Sequence, residues 1–139
     1  MDLATLMLIS YRAMDERVLG EMQDAGFEVT VAQARLAQRI ADDGSRLTDL
    51  ARQAQITKQT ASVLVAGLEE KGFVERVPDP EDGRARLIRF TAQGRAGARR
   101  AQQVVRRVER EWEEHLGPEL AARLREALTK LREVTDPYQ

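Results

Sequence analysis

The segment from Leu47 to Arg89 constrains this chain more than any other, because it strings two short helix signals, a glycine stop and a charged hairpin signal into some forty residues. The first helical segment is Leu47-Thr48-Asp49-Leu50-Ala51-Arg52-Gln53-Ala54, and the second runs from Ile56 to Leu68. Thr48 and Thr57 are the expected N-caps, since a threonine hydroxyl can accept from the first free amides of a helix. Ala61, Leu64, Val65 and Leu68 fall at i, i+3, i+4 and i+7, which predicts one buried helical face. Lys58, Gln59, Ser62 and Ala66 fall on the opposite face. Gly72 is placed to close the second helix. Phe73 to Val77 predicts a short strand, Asp82-Gly83 a turn, and Arg84 to Thr91 the returning strand. The tip between them, Pro78 to Arg84, has no apolar residue except prolines, so it adds little to a core.

Two helices with a tight turn followed by a charged hairpin predict a DNA-binding lobe. The polar face of the second helix, with residues small enough to enter a major groove, would read the duplex. Arg84 and Arg86 beside the tip would reach phosphates or a minor groove. A helical hairpin that only packs against its neighbours is the competing reading, and the charged hairpin weighs against it.

The same residues carry a family resemblance. The runs Thr57-Lys58-Gln59-Thr60-Ala61-Ser62, Leu68 to Arg76, Asp82-Gly83-Arg84 and Phe90-Thr91-Ala92-Gln93-Gly94 resemble the MarR family of bacterial transcription regulators. The resemblance implies one domain over residues 1–139, mainly α with a small β-wing. Residues 30–91 would form a winged helix-turn-helix lobe, and residues 1–25 and 92–134 a helical dimerisation region. It implies a cytoplasmic homodimer that binds double-stranded DNA at a pseudo-palindromic promoter site, as a repressor relieved by a small aromatic or phenolic effector. Carried over residue by residue, Thr57, Lys58, Gln59, Thr60, Ser62, Val63, Arg84 and Arg86 would contact DNA, with Asp82 orienting an arginine. Tyr11, Arg12, Arg39 and Trp112, with Met14, Leu36 and Ile40, would line the effector pocket. The chain departs from the family where Val63 and Gly67 replace residues that are often basic, and where Gln55 replaces a frequent glycine. These departures leave open an alternative, a winged-helix protein-interaction module without sequence-specific DNA binding.

Composition narrows the remaining classes. Hydrophobic residues make up 42% of the 139 positions but aromatics only 4%, so Leu, Val, Ile and Ala must build the core. There is no cysteine, which excludes disulfides and thiol-based sensing. No apolar run approaches the ~18 residues of a membrane span, and no signal peptide is evident. One histidine, no cysteine and no phosphate-binding glycine loop predict no catalytic site, cofactor or metal. His115, with Glu111, Glu113 and Glu114 nearby, reads as a solvated acidic helix end. Gly94-Arg95-Ala96-Gly97 reads as close helix packing rather than a nucleotide loop.

The formal charge of −1 conceals an uneven distribution. Residues 91–110 hold six arginines and one glutamate, while residues 1–28 hold six acids against two arginines. The basic excess lies just after the hairpin, and a DNA-binding face on one side with an acidic dimer body on the other is the expected split. Helix signals flank the lobe on both sides. Leu3, Leu6, Met7, Met14, Val18 and Met22 recur along a first helix broken by Gly26. Thr30 is placed to cap a second helix that Gly44 would end. Thr91 would cap a helix of about 25 residues, roughly 37 Å long, with Ala101, Val104, Val105, Val108 and Trp112 as its stripe. After Gly117-Pro118, a last helix carries Leu120, Leu124, Leu128 and Leu131. A lobe of about 60 residues cannot cover all these stripes, and uncovered stripes of this size mark an interface.

Overall fold

The computed structural model describes residues 1–138. Its elements run α1 (Leu3–Asp24), α2 (Val31–Ala37), α3 (Leu47–Gln53), α4 (Lys58–Glu70), β1 (Val74–Asp79), β2 (Asp82–Phe90), α5 (Ala92–Leu116) and α6 (Pro118–Thr135). Local chemistry accounts for most of the boundaries. Thr30 caps α2 in a reciprocal box with Gln33, Thr57 caps α4 through the Thr60 amide, and Thr91 caps α5 through the Gly94 amide. Gly72, at φ +79°, ends α4: its amide donates to Glu69 and the Phe73 amide to Leu68. That paired bonding satisfies the last free carbonyls and folds Phe73 back onto Leu68, both buried.

Three expectations need correction. Thr48 does not cap α3; the N-cap is Arg46, which makes no side-chain cap bond. The second helix ends at Ala37 rather than near Gly44, and Ile40, beyond it, still reaches the core. The hairpin turns at Pro80-Glu81, not at Asp82-Gly83, because Asp79 pairs with Asp82. Proline holds φ near about −65°, which forbids the primed turns that match strand twist. The register shift between Pro78 and Asp79 takes up the mismatch.

One continuous core joins α2, α3, α4 and the hairpin through Leu36, Ile40, Leu50, Ala61, Val65, Leu68, Phe73, Val74 and Ile88. The hairpin is held to α3 by a short third strand segment. Ser45 exchanges both backbone hydrogen bonds with Ile88, at 2.9 and 2.8 Å. The base of α5 packs tightly on this lobe. A Cβ on Gly94 would lie 1.9 Å from the Phe73 carbonyl oxygen, and one on Gly97 would lie 3.1 Å from the Phe27 ring. Both glycines are buried, so the small-residue pattern at the start of α5 serves close approach. Farther along, Val104 and Val108 are buried, and α5 is tied to α1 by the Arg17–Glu111 pair (2.8 and 3.1 Å) and by Arg107 with Glu21. By contrast α6 buries none of its residues, and α1 buries only Met22.

Candidate nucleic-acid interface

Helix α4 divides sharply between its two faces. Ala61 and Val65 are fully buried, Leu68 nearly so, and Leu64 partly so, while Lys58, Gln59, Thr60 and Ala66 are exposed and Ser62 half-buried. Val63, between them on the outward side, is 67% exposed. Thr57, at the cap, accepts from the Thr60 amide at 3.0 Å and donates to the Thr60 hydroxyl at 2.8 Å. This fixes both threonines at the positive end of the helix dipole, where an anion is favoured. Gln55, in the turn between α3 and α4, takes φ +56°, a left-handed conformation in which glycine would be unstrained.

The hairpin presents its arginines in two groups. Arg76 and Arg89, near the base, are paired with Glu69 (3.4 Å) and Glu75 (2.8 Å). Arg84 and Arg86, toward the tip, are exposed and meet no carboxylate among the described residues. Arg86, paired with Pro78, shares the strand face of buried Ile88, while Arg84 lies among the unpaired residues 83–85 where the register shifts.

The acid that orients an arginine here is not Asp82. Its Oδ1 accepts only the Arg84 backbone amide, at 3.1 Å. The orienting acid is Asp79, whose Oδ2 accepts from Nε and Nη2 of Arg46 at 2.9 and 2.7 Å, and whose Oδ1 accepts the Glu81 amide at 2.9 Å. The Glu81 amide and the Arg46 guanidinium hold the Asp79 carboxyl below its usual range, and the Asp79 carboxylate in turn raises the Arg46 pKa. Sequence reasoning missed Arg46 altogether. Its only local signal is its place one residue before α3, which says nothing of a partner 33 residues away.

The residues expected to line an effector pocket are dispersed. Leu36 and Ile40 belong to the lobe core. Arg12 is exposed, and Met14 and Trp112 are half-buried. Arg39 reaches Asp136 at 3.7 Å. Tyr11 accepts from Arg35 Nε at 3.3 Å, with the guanidinium carbon 5.4 Å from the ring centre, and Arg35 also reaches Asp15 at 3.9 Å. These contacts join α1 to α2.

A helix-turn-helix closed by a β-hairpin, with long helices leading in and out, defines a winged-helix protein. Comparison with known proteins points to one family over part of the chain. A model described as the MarR family matches residues 27–85. The chain is 27% identical to a crystal structure of MarR, with a TM-score of 0.72 over 96% of this chain and 94% of that one. It also superposes on RV1404 of Mycobacterium tuberculosis with a TM-score of 0.78, at 20% identity over 96% of this chain and 91% of that one. The HTH-type transcriptional repressor Rv2887 of Mycobacterium tuberculosis is 40% identical over 63 residues, 45% of each chain. The transcriptional activatory protein BadR of Rhodopseudomonas palustris is 38% identical over 53 residues, 38% of this chain and 30% of that one. The matched stretch thus spans less than half the length of these curated relatives. Residues 27–85 thus match the MarR family model, and nearly the whole chain shares the fold of a crystal structure of MarR.

Proposed function

We propose that this chain is a homodimeric, DNA-binding transcription regulator, a cytoplasmic repressor that acts at a pseudo-palindromic promoter site. The observation that carries the reading is one surface. The outward face of α4 presents Lys58, Gln59, Thr60, Ser62 and Val63 to solvent, and on the same lobe Arg84 and Arg86 form no ion pair with an acid among the described residues. In this reading Thr57 and Thr60 meet a phosphate at the start of α4. Lys58, Gln59 and Ser62 lie in the major groove, Val63 packs on a thymine methyl, and the two wing arginines follow the adjacent backbone or minor groove. The repressor sense follows the name of the mycobacterial relative. The reading contains no catalytic step and needs no cofactor.

The homodimer is supported by what the single chain leaves uncovered. Leu120, Leu124, Leu128 and Leu131 recur along one side of α6 at 39–55% exposure, and Leu3, Leu6, Leu8 and Ile9 of α1 are at least half exposed. A two-fold axis would bury both sets and set the two α4 helices about 34 Å apart, one turn of duplex. Relief by a small aromatic or phenolic effector belongs to the same proposal. Tyr11 and Arg35, where α1 meets α2, with Arg12, Arg39 and Trp112, supply the aromatic and cationic groups for such an anion. A ligand favouring a dimer with mis-spaced α4 helices weakens DNA binding by its coupling energy.

A salt titration of binding to its own promoter and to random duplex tests the central claim. Affinity for both should fall steeply with salt, and the promoter should bind at least ~10³ times more tightly. A chain that binds neither duplex, at low salt, is instead a winged-helix protein-interaction module.

A further inference from the structure

The hairpin carrying Arg84 and Arg86 is tethered to the helical part of the lobe at two places. One is the backbone pairing of Ser45 with Ile88. The other is the Asp79 carboxylate, which spends one oxygen on the Glu81 amide in the turn and the other on Arg46 at the start of α3. Arg46 directly follows Ser45, so both tethers leave from one short stretch of chain. Arg84 and Arg86 lie between the two attachment points, Asp79 and Ile88. Beyond Ile88 the hairpin is a two-stranded ribbon, a structure of marginal stability by itself. The Asp79 side chain is 8% exposed, so its charge is held in the fold rather than left in water.

An acid placed this close to a nucleic-acid surface repels phosphate. Its presence there makes physical sense if it holds something else in place. We propose that Arg46 and Asp79 are a wing lock, a pair of positioning residues that fixes Arg84 and Arg86 relative to α4, and that neither residue contacts DNA itself. The proposal rests on the DNA-binding reading above for its consequence, though not for its geometry. The guanidinium uses two of its nitrogens on a single carboxylate oxygen. Without that bond the wing samples positions in which its arginines miss the backbone. Apparent affinity then falls in proportion to the fraction of wings that remain docked.

The sign of the effect distinguishes the lock from an electrostatic bystander. Asp79→Ala removes a negative charge beside a polyanion, so a bystander variant binds DNA more tightly. A broken lock binds about tenfold more weakly, for a docked fraction near one tenth, and keeps the wild-type salt slope because no phosphate contact is lost. Arg46→Ala should weaken binding equally at unchanged slope, and the double variant should bind no more weakly than either single one. Tighter binding by Asp79→Ala, or a slope reduced by about one in Arg46→Ala, overturns the proposal. Amide exchange in the DNA-free protein gives a second test. Exchange at Glu81, Arg84 and Arg86 should accelerate in Asp79→Ala and in the milder Asp79→Asn, which keeps an acceptor for the Glu81 amide. Unchanged exchange in a folded variant refutes the lock even if the wild-type protein binds no duplex at all.

Discussion

Gly94→Ala offers the sharpest check on how the lobe meets the long helix. In an ordinary helix interior the change is stabilising, because alanine has the better propensity by about 1 kcal/mol. Gly20, in α1, is such a site: nothing lies within 4 Å of a Cβ added there. At Gly94 the added carbon would stand 1.9 Å from the Phe73 carbonyl oxygen and 3.0 Å from Phe90 Cδ1, where Cβ contacts below 3.0 Å essentially do not occur. The obstacle is backbone rather than a movable side chain, so α5 and the β1 entry must separate by more than 1 Å. Overpacking of this kind costs about 1–3 kcal/mol, and backbone displacement puts it at the upper end. The separation also strains the bonds that cross the junction, Thr91 N to Phe73 O at 3.1 Å and the Thr91 hydroxyl to Gly72 O at 2.6 Å, each worth about 1 kcal/mol. After the propensity gain is set against these losses, Gly94→Ala should destabilise by about 2–3 kcal/mol, while Gly20→Ala stabilises by about 0.5–1 kcal/mol. Urea denaturation of both variants at one fixed protein concentration measures the contrast, the concentration being held because dimerisation would add to apparent stability. Stabilisation of Gly94→Ala comparable to that of Gly20→Ala would refute the close packing of α5 on the lobe.

Other expectations are simpler to test. Arg84→Ala should weaken DNA binding and lower the salt slope by about one without altering the melting temperature; Gln59→Ala should instead relax preference at one base position by about 1–3 kcal/mol if its contact is bidentate. Gln55→Gly relieves a left-handed backbone and should stabilise by up to about 1 kcal/mol in denaturant titration, the strain relief exceeding the entropy glycine adds to the unfolded chain. Leu124→Glu with Leu128→Glu should convert a species of about twice 15.7 kDa in light scattering into one of 15.7 kDa. The Asp79 carboxyl is depressed from 3.8 in the folded chain, so its contribution is complete above the unfolded value and lost as pH falls below about 3.8 through the folded one; Asp79→Asn should flatten the acid limb of a stability–pH curve.

What the sequence determined by itself is local. Thr30, Thr57 and Thr91 cap helices because a hydroxyl and a free amide three residues on need no outside help. The buried face of α4 follows from spacing, the end of α4 from Gly72, and the 25-residue length of α5 from Thr91 and Gly117. The exposed positions Lys58, Gln59, Val63, Arg84 and Arg86 were legible for the same reason, being the residues a buried stripe and a strand edge leave over. Even so, local rules failed where two competed. Asp82-Gly83 is the stronger turn signal in isolation, yet the chain turns at Pro80-Glu81, where Asp79 accepts the Glu81 amide and ties the turn to Arg46. Tertiary structure alone decided that pairing, the Ser45–Ile88 bridge and the contact of Gly94 with Phe73. Each depends on which distant segments share the core. Among 22 basic and 23 acidic residues no spacing rule selects Arg46 and Asp79 as partners; only the fold of the hairpin back onto α3 brings those two charges within 2.7 Å.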